Sequence, residues 1–252
     1  MKRLTGFLQI ILLIIFMSVA AFHLYFFIKM KYAPEEKKII KEFSFSSEEE
    51  ISALTEKKLV SKSTDYKVVE YEGEHCVKAL SENSASALFF KESLSYGKDP
   101  FIRWDWKVEK FPDRGKEEKL GNKDDFDFAA QVYVIFYSRF FLKAKAIQYV
   151  WSEGLSVGEQ SESPYTKNVK LLVLESGLSE KWKHEDRNIN NDYLKLFGEP
   201  LSADITAIAF MTDSDSTGST AAAYYDNFNV GYSGDEIELN EKRAVTVQNN
   251  EL

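Results

Sequence analysis

The chain has a single cysteine, Cys76, among 252 residues. No internal disulfide can form, and cysteine usage neither demands nor forbids an oxidising compartment. A lone cysteine of this kind is expected as a small buried thiol. Histidine is almost as scarce, with three copies. His23 lies in an apolar run, His75 precedes Cys76 on an expected strand, and His184 has no evident partner. Neighbours on a strand point to opposite faces, which disfavours a Cys-His dyad at 75 and 76. Zinc-ligand spacing and a phosphate-cradling glycine loop are both missing. Basic residues are in deficit, 32 Lys and Arg against 40 Asp and Glu, for a net charge of −8. No basic patch interleaved with aromatics occurs, so a nucleic-acid partner is not expected: displacing phosphate counterions takes clustered Lys and Arg.

Aromatic side chains are plentiful, 13 Tyr and 19 Phe, enough large apolar surface to fill a core between two sheets. From Gly6 to Ile28 the run GFLQIILLIIFMSVAAFHLYFFI has no formal charge. As a helix it would be roughly 34 Å long, sufficient for a bilayer core of about 30 Å. Ser18-Val19-Ala20 also resembles a signal-peptidase pattern, but the apolar run continues past it to Ile28, which favours an uncleaved anchor. Lysines after the run (Lys29, Lys31, Lys37, Lys38 and Lys41) oppose Lys2 and Arg3 in the positive-inside count. A basic start followed by a short hydrophobic segment is the ordinary export signal, and the domain is expected on the extracytoplasmic side.

Ala33 to Glu42 is charged and reads as a juxtamembrane linker. Ser46 and Glu49 have capping-box spacing for a short helix ending near Leu59. From Asp65 the period changes to two. Phe101 to Val108 alternates, with Ile102, Trp104, Trp106 and Val108 on one face and Arg103, Asp105 and Lys107 on the other. Phe128 to Tyr137 is apolar on both faces, as in a covered central strand. Nine or ten strands, with one helical turn at Asp192 to Phe197 ended by Gly198, predict an all-β fold: an antiparallel β-sandwich, jelly-roll-like, preceded by one N-terminal transmembrane or signal-anchor helix. The expected layout is a membrane segment over 1–31, linker and helix over 32–62, the sandwich over 63–232 and a frayed polar tail over 233–252.

Several stretches together resemble the uncharacterised bacterial family known as domain of unknown function 3047. They are DYKVVEYEGEHCVKALSENSASALFF (65–90), IRWDWKVEKFP (102–112), DDFDFAAQVYVIF (124–136), QYVW (148–151), EDRNI (185–189), FGEP (197–200) and MTDSDSTGSTAAAYYDNFN (211–229). The resemblance implies an exported β-sandwich and supplies no reaction. Where the family leads us to expect arginine before the VYV run, this chain has Gln131, and an ionic role there does not carry over. Aromatic-rich sandwiches with an aspartate-bearing last strand also look like carbohydrate-binding jelly rolls, a fold-level analogy.

Three acidic clusters are candidate sites. Asp213-x-Asp215-x-Thr217-Gly218 opens like a calcium loop, but Tyr224 stands where an EF-hand has its bidentate Glu. Calcium at Asp213 and Asp215, with Asp226 as a further ligand, competes with a solvated turn. Apart from calcium no cofactor is expected. The second cluster includes Asp125 and Asp127, and the third Glu185 with Arg187, whose guanidinium is expected to pair with Asp125 or Asp127. Trp151, Tyr165 and Trp182 are candidate sugar platforms; Trp104 and Trp106 are expected in the core. The leading expectation is a membrane-tethered, non-catalytic module binding a glycan or another envelope component through Asp125, Asp127, Trp151, Tyr165, Trp182, Glu185, Arg187 and Asp226. A hydrolase with paired carboxylates and a structural protein docking an envelope protein are the alternatives.

Overall fold

A computed structural model describes residues 22–25, 37–123, 126–137 and 144–233. Residues 22–25 are helical, and among the described residues no helix is long and apolar enough to cross a membrane. Most of the expected span, Asp125 and the tail from 234 lie outside the described residues.

From residue 37 on, thirteen strands and two short α-helices are described, besides a single 3-10 turn at Tyr96–Lys98: β1 (Lys37–Phe43), α1 (Glu48–Ser52), β2 (Thr55–Lys58), β3 (Asp65–Tyr71), β4 (Glu74–Glu82), β5 (Ala85–Phe90), β6 (Pro100–Lys110), β7 (Ala130–Tyr137), β8 (Lys145–Ser152), β9 (Gln160–Ser163), β10 (Thr166–Ser176), β11 (Lys183–Asn188), α2 (Ile189–Phe197), β12 (Asp204–Asp213) and β13 (Thr220–Ser233). They form two sheets. The first runs β11-β6-β13-β4-β3 with β1 also on β13, and the second runs β2-β5-β12-β7-β8-β10-β9. The chain is therefore a mostly-β sandwich, as its period-2 pattern predicts.

Alternation decides which side chains meet between the sheets. On β6, Ile102, Trp104, Trp106 and Val108 are buried, and Val132, Val134 and Phe136 face them from β7. Trp104 and Trp106 meet edge to face with ring centres 5.3 Å apart, and Trp106 contacts Trp151 at 5.8 Å. Phe210 of β12 stacks on Phe228 of β13 at 5.3 Å, joining the central strands of the opposed sheets. Such aromatic pairs add about 0.5–1.5 kcal/mol each beyond their area.

The structure corrects several expectations. The sandwich is not wholly antiparallel, because β10 pairs with β8 in parallel and β9 returns along β10's other edge. The Glu118 carboxylate secures the start of that crossover, accepting the Glu153 and Gly154 amides at 3.0 Å each. The charged segment read as a linker contributes β1, paired with β13 from Lys37↔Ser233 to Phe43↔Phe228. The approach is so close that a Cβ on Gly231 would overlap the Lys38 carbonyl. Helix α1 stops at Ser52, not near Leu59, because Thr55 to Lys58 pairs with β5. Its N-terminus is tied by Glu50, which accepts from the Phe45 and Ser46 amides, instead of by Glu49. Helix α2 ends at Gly198 as expected, left-handed at φ 72°, but begins at Ile189 and not at Asp192, because the Asn188 side chain caps it by accepting the Asn191 amide.

Candidate functional site

The outer face of the second sheet is not flat. Ala85 and Ala87 of β5 and Ala209 and Met211 of β12 are small or flexible and lie side by side there. Leu59 and Val60 rise on one side and Phe126 and Tyr165 on the other, enclosing a groove of about 740 Å³. Beyond its far end, Phe126 and Phe128 pack on Val150, Leu171 and Val173 and close that part of the sheet.

A chain of polar side chains crosses the groove floor. Gln131 and Tyr133 project outward from β7, opposite Met211 and Ala209 on β12, and Gln148 of β8 lies opposite Tyr133. The Gln131 amide nitrogen donates to Asp213 Oδ1 at 2.7 Å. Its oxygen accepts from Gln148 Nε2 at 2.7 Å and from the Tyr133 hydroxyl at 2.8 Å. Burial raises the Tyr133 phenol well above its ordinary range, with Asp213 adding to the effect. Neutral amides and a neutral phenol thus cover this floor, where an arginine at 131 would have brought a charge.

Asp127, Asp213 and Asp215 converge at one end, each offering a carboxylate oxygen within 4.8 Å of the others. Asp213 Oδ1 also accepts the Phe128 amide at 2.7 Å, and Asp127 accepts the Ser216 and Thr217 amides at 3.1 and 2.7 Å. The 214–219 connection is held in place by Ser214, whose hydroxyl meets Ser81 at 2.7 Å and accepts the Asn83 amide at 3.0 Å. Burial, then the neighbouring Asp127, pushes the Asp213 carboxyl well above the carboxylate range, and the same two causes raise Asp215. Calcium takes six to eight oxygen ligands. Three carboxylates fit its chemistry in part, but amide donors already engage both oxygens of Asp127 and one of Asp213. Asp226 does not join them.

The predicted site residues separate into three places. Asp127, Tyr165, Asp213 and Asp215 gather at the groove, with Tyr165 61% exposed on its rim. Trp182 and Asp226 meet in a smaller pocket on the first sheet. The remaining three are structural. Trp151 is wholly buried, because β8 continues to Ser152 and alternation puts Trp151 inward with Ile147 and Tyr149. Glu185 is buried at the sandwich edge, accepting the Trp106 indole N–H at 3.3 Å. Arg187 pairs bidentately with Asp192, at 2.6 and 2.9 Å, and not with Asp127. Sequence reasoning missed Tyr133 and Gln148. Their signal was a lone glutamine in each of two strands otherwise apolar on both faces, since such a group needs polar company.

The family model for proteins of unknown function DUF3047 matches residues 53–229. The chain belongs to that family. No curated protein matches this DUF3047 chain. Among solved structures it is similar to the family 11 carbohydrate-binding module from Clostridium thermocellum in complex with a β-1,3-1,4-mixed-linked tetrasaccharide, with 10% identity, a TM-score of 0.40, and coverage of 79% of this chain and 100% of that one. The endo-β-1,4-glucuronan lyase from the fungus Trichoderma reesei has 7% identity and a TM-score of 0.45, covering 77% and 96%. The K1 cleaved adhesin domain of Lys-gingipain from Porphyromonas gingivalis has 12% identity and a TM-score of 0.35, covering 77% and 98%. At such identities no binding residue of those proteins transfers to the DUF3047 chain.

Proposed function

We propose that this DUF3047 chain is a non-catalytic module that binds a glycan strand along the groove of the second sheet, tethered to a membrane on its extracytoplasmic side. The groove floor carries the reading. Apolar Ala85, Ala87 and Met211 line it beside Tyr133 and Gln148, whose polar atoms Gln131 holds in place, and a sugar ring likewise presents an apolar face and a polar edge. Tyr165 on the rim offers an exposed ring. A few fixed polar groups on an apolar floor are the usual make-up of a binding site. The tether rests on the uncharged run from Gly6 to Ile28.

The hydrolase alternative needs two carboxyl groups about 5 to 9 Å apart with a sugar between them. Asp127, Asp213 and Asp215 are drawn together within 4.8 Å and tied to backbone amides, which favours a junction over a cleft. Calorimetric titration of the full chain with cell-envelope polysaccharide fragments is the test. Saturable binding weakened at least tenfold by Tyr165→Ala, a change at a residue that is 61% exposed, with melting unchanged, is expected. If no fragment binds saturably, the proposal is wrong, and turnover of a fragment would move the assignment to the hydrolase. A calcium titration run alongside reports on the triad: a rise in melting midpoint lost in Asp215→Asn would place the ion there.

A further inference from the structure

The pocket holding Trp182 and Asp226 lies on the outer face of the first sheet and encloses about 350 Å³. Asp226 of β13 stands directly across from Asp105 of β6, both on the solvent side of the core strands. Like charges facing across a strand pair are destabilising, so folding alone does not favour this arrangement. A bulge follows at once, with Asn227 left-handed at φ 52°. It turns Asn227 so that Nδ2 donates to Asp105 Oδ2 at 2.8 Å, while His184 Nδ1 meets Asp105 Oδ1 at 2.6 Å. Asp105 is thereby satisfied and Asp226 is not. Only 6% of Asp226 is exposed, its Oδ1 accepts the Asn227 amide at 2.8 Å, and among the described residues no donor reaches Oδ2.

The surroundings indicate what should reach it. Glu72 and Glu74 add two more carboxylates to the lining, and no lysine or arginine lines the pocket. Lys107 of β6 donates to the Tyr71 hydroxyl at 2.8 Å and to the Glu180 carbonyl, and its ammonium lies 3.6 Å from Glu72 and over the Tyr71 ring, which leaves Asp226 and Trp182 without a cation among the described residues. Aromatic walls come from Tyr71 and Trp182, which meet edge to face at 6.2 Å. A bare divalent cation prefers a cage of oxygens. An organic ammonium instead brings N–H donors for a carboxylate and a positive charge that aromatic faces attract.

We propose that this pocket is a second binding site, separate from the glycan groove, that takes a small primary ammonium group, with Asp226 as the anion that receives it and Trp182 as the ring beside it. Two sources carry that chemistry, an amino sugar and a lysine side chain. The test follows the indole N–H resonances of the full chain at pH 8 during titration with glucosamine, with Nα-acetyl-lysine methylamide, and with neutral glucose and N-acetylglucosamine. A saturable shift of the Trp182 signal with either amine, and none with the neutral sugars, is expected; which amine acts identifies the source. Asp226→Asn keeps the oxygen that accepts the Asn227 amide and should weaken amine binding at least tenfold, as should Trp182→Ala. Tyr165→Ala, in the glycan groove, should leave it unchanged, so the two sites fail independently. Burial, with Asp105, Glu74 and Glu50 nearby, pushes the Asp226 carboxyl up to about 7. Asp226→Asn should therefore raise the melting midpoint at pH 8, so a loss of amine binding in this variant cannot come from a loss of folding. Equal shifts with glucose, undiminished amine binding by Asp226→Asn, or the lack of any saturable shift would each overturn the proposal.

Discussion

Glu185 shows how one side chain can be held by the fold at a cost that depends on pH. Burial, reinforced by Glu175, pushes its carboxyl up to about 7, against Arg187 and the Trp106 indole. A carboxyl whose pKa is raised on folding binds extra protons in the folded state, so its contribution favours folding below about pH 4.5 and is lost as pH rises through about 7. Asp213, Asp215 and Asp226 act in the same direction. Carboxylates held low by a partner, such as Asp186 between Lys37 and Arg103, act with the opposite sign and mainly below the usual carboxylate range. The melting midpoint should therefore fall between pH 5 and pH 8, and Glu185→Gln should reduce that fall by a few degrees. A midpoint that rises across this window would contradict the assignment. Cys76 behaves likewise as a group kept neutral: it is buried, and its thiol is pushed up to about 12 by burial and then by Asp226. Since the thiolate is the nucleophile, alkylation of Cys76 at pH 7.5 should be slow in the folded chain and rapid in denaturant.

At the scale of elements, what could be read from the sequence depended on whether a strand's own side chains are buried. Strands β6 and β7 were legible because alternation or a two-faced apolar run reports a buried face. The sequences KKIIKEF, TEKK and QSES of β1, β2 and β9 are mostly exposed, and the backbones of β13, β5 and β10 hold them in place. No periodicity in such segments announces a strand. The same physics governed the site. The acidic loop at 213–215 was legible from its spacing, but its partner Asp127 was joined to it by strand order that spacing does not show. Trp151 lies within β8 and not at its end, and its parity with Ile147 and Tyr149 turns it inward. The attachment of β1 yields a prediction at this scale. Gly231→Ala drives a methyl into the Lys38 carbonyl, and overpacking of this kind costs about 1–3 kcal/mol. Amides of Lys37 to Phe43 should then lose hydrogen-exchange protection while β6 keeps its own. Unchanged protection of β1 would refute the close approach.

Over the whole domain, the last two strands of the sandwich occupy its middle. β12 lies between β5 and β7, and β13 lies between β6 on one side and β4 with β1 on the other. Pairings such as Lys37↔Ser233 and Thr220↔Glu82 join residues far apart in sequence, so loop closure must precede most of the stabilising contacts. Folding dominated by non-local strand pairing belongs to the slow class, milliseconds to seconds or longer. Because Phe210 and Phe228 join the two central strands across the core, opening either sheet at its centre exposes the largest apolar surface. Opening at β1, β2 or β9 exposes little. Amide exchange should therefore rank the structure from the edges inward, with β2 and β9 opening locally and the centres of β12 and β13 exchanging only on global unfolding. Phe228→Leu should lower the protection of β12 and β13 together, because one core holds both sheets. If it loosened β13 and left β12 untouched, the two sheets would be separate cooperative units, and a ligand in the groove of one could not stabilise the other.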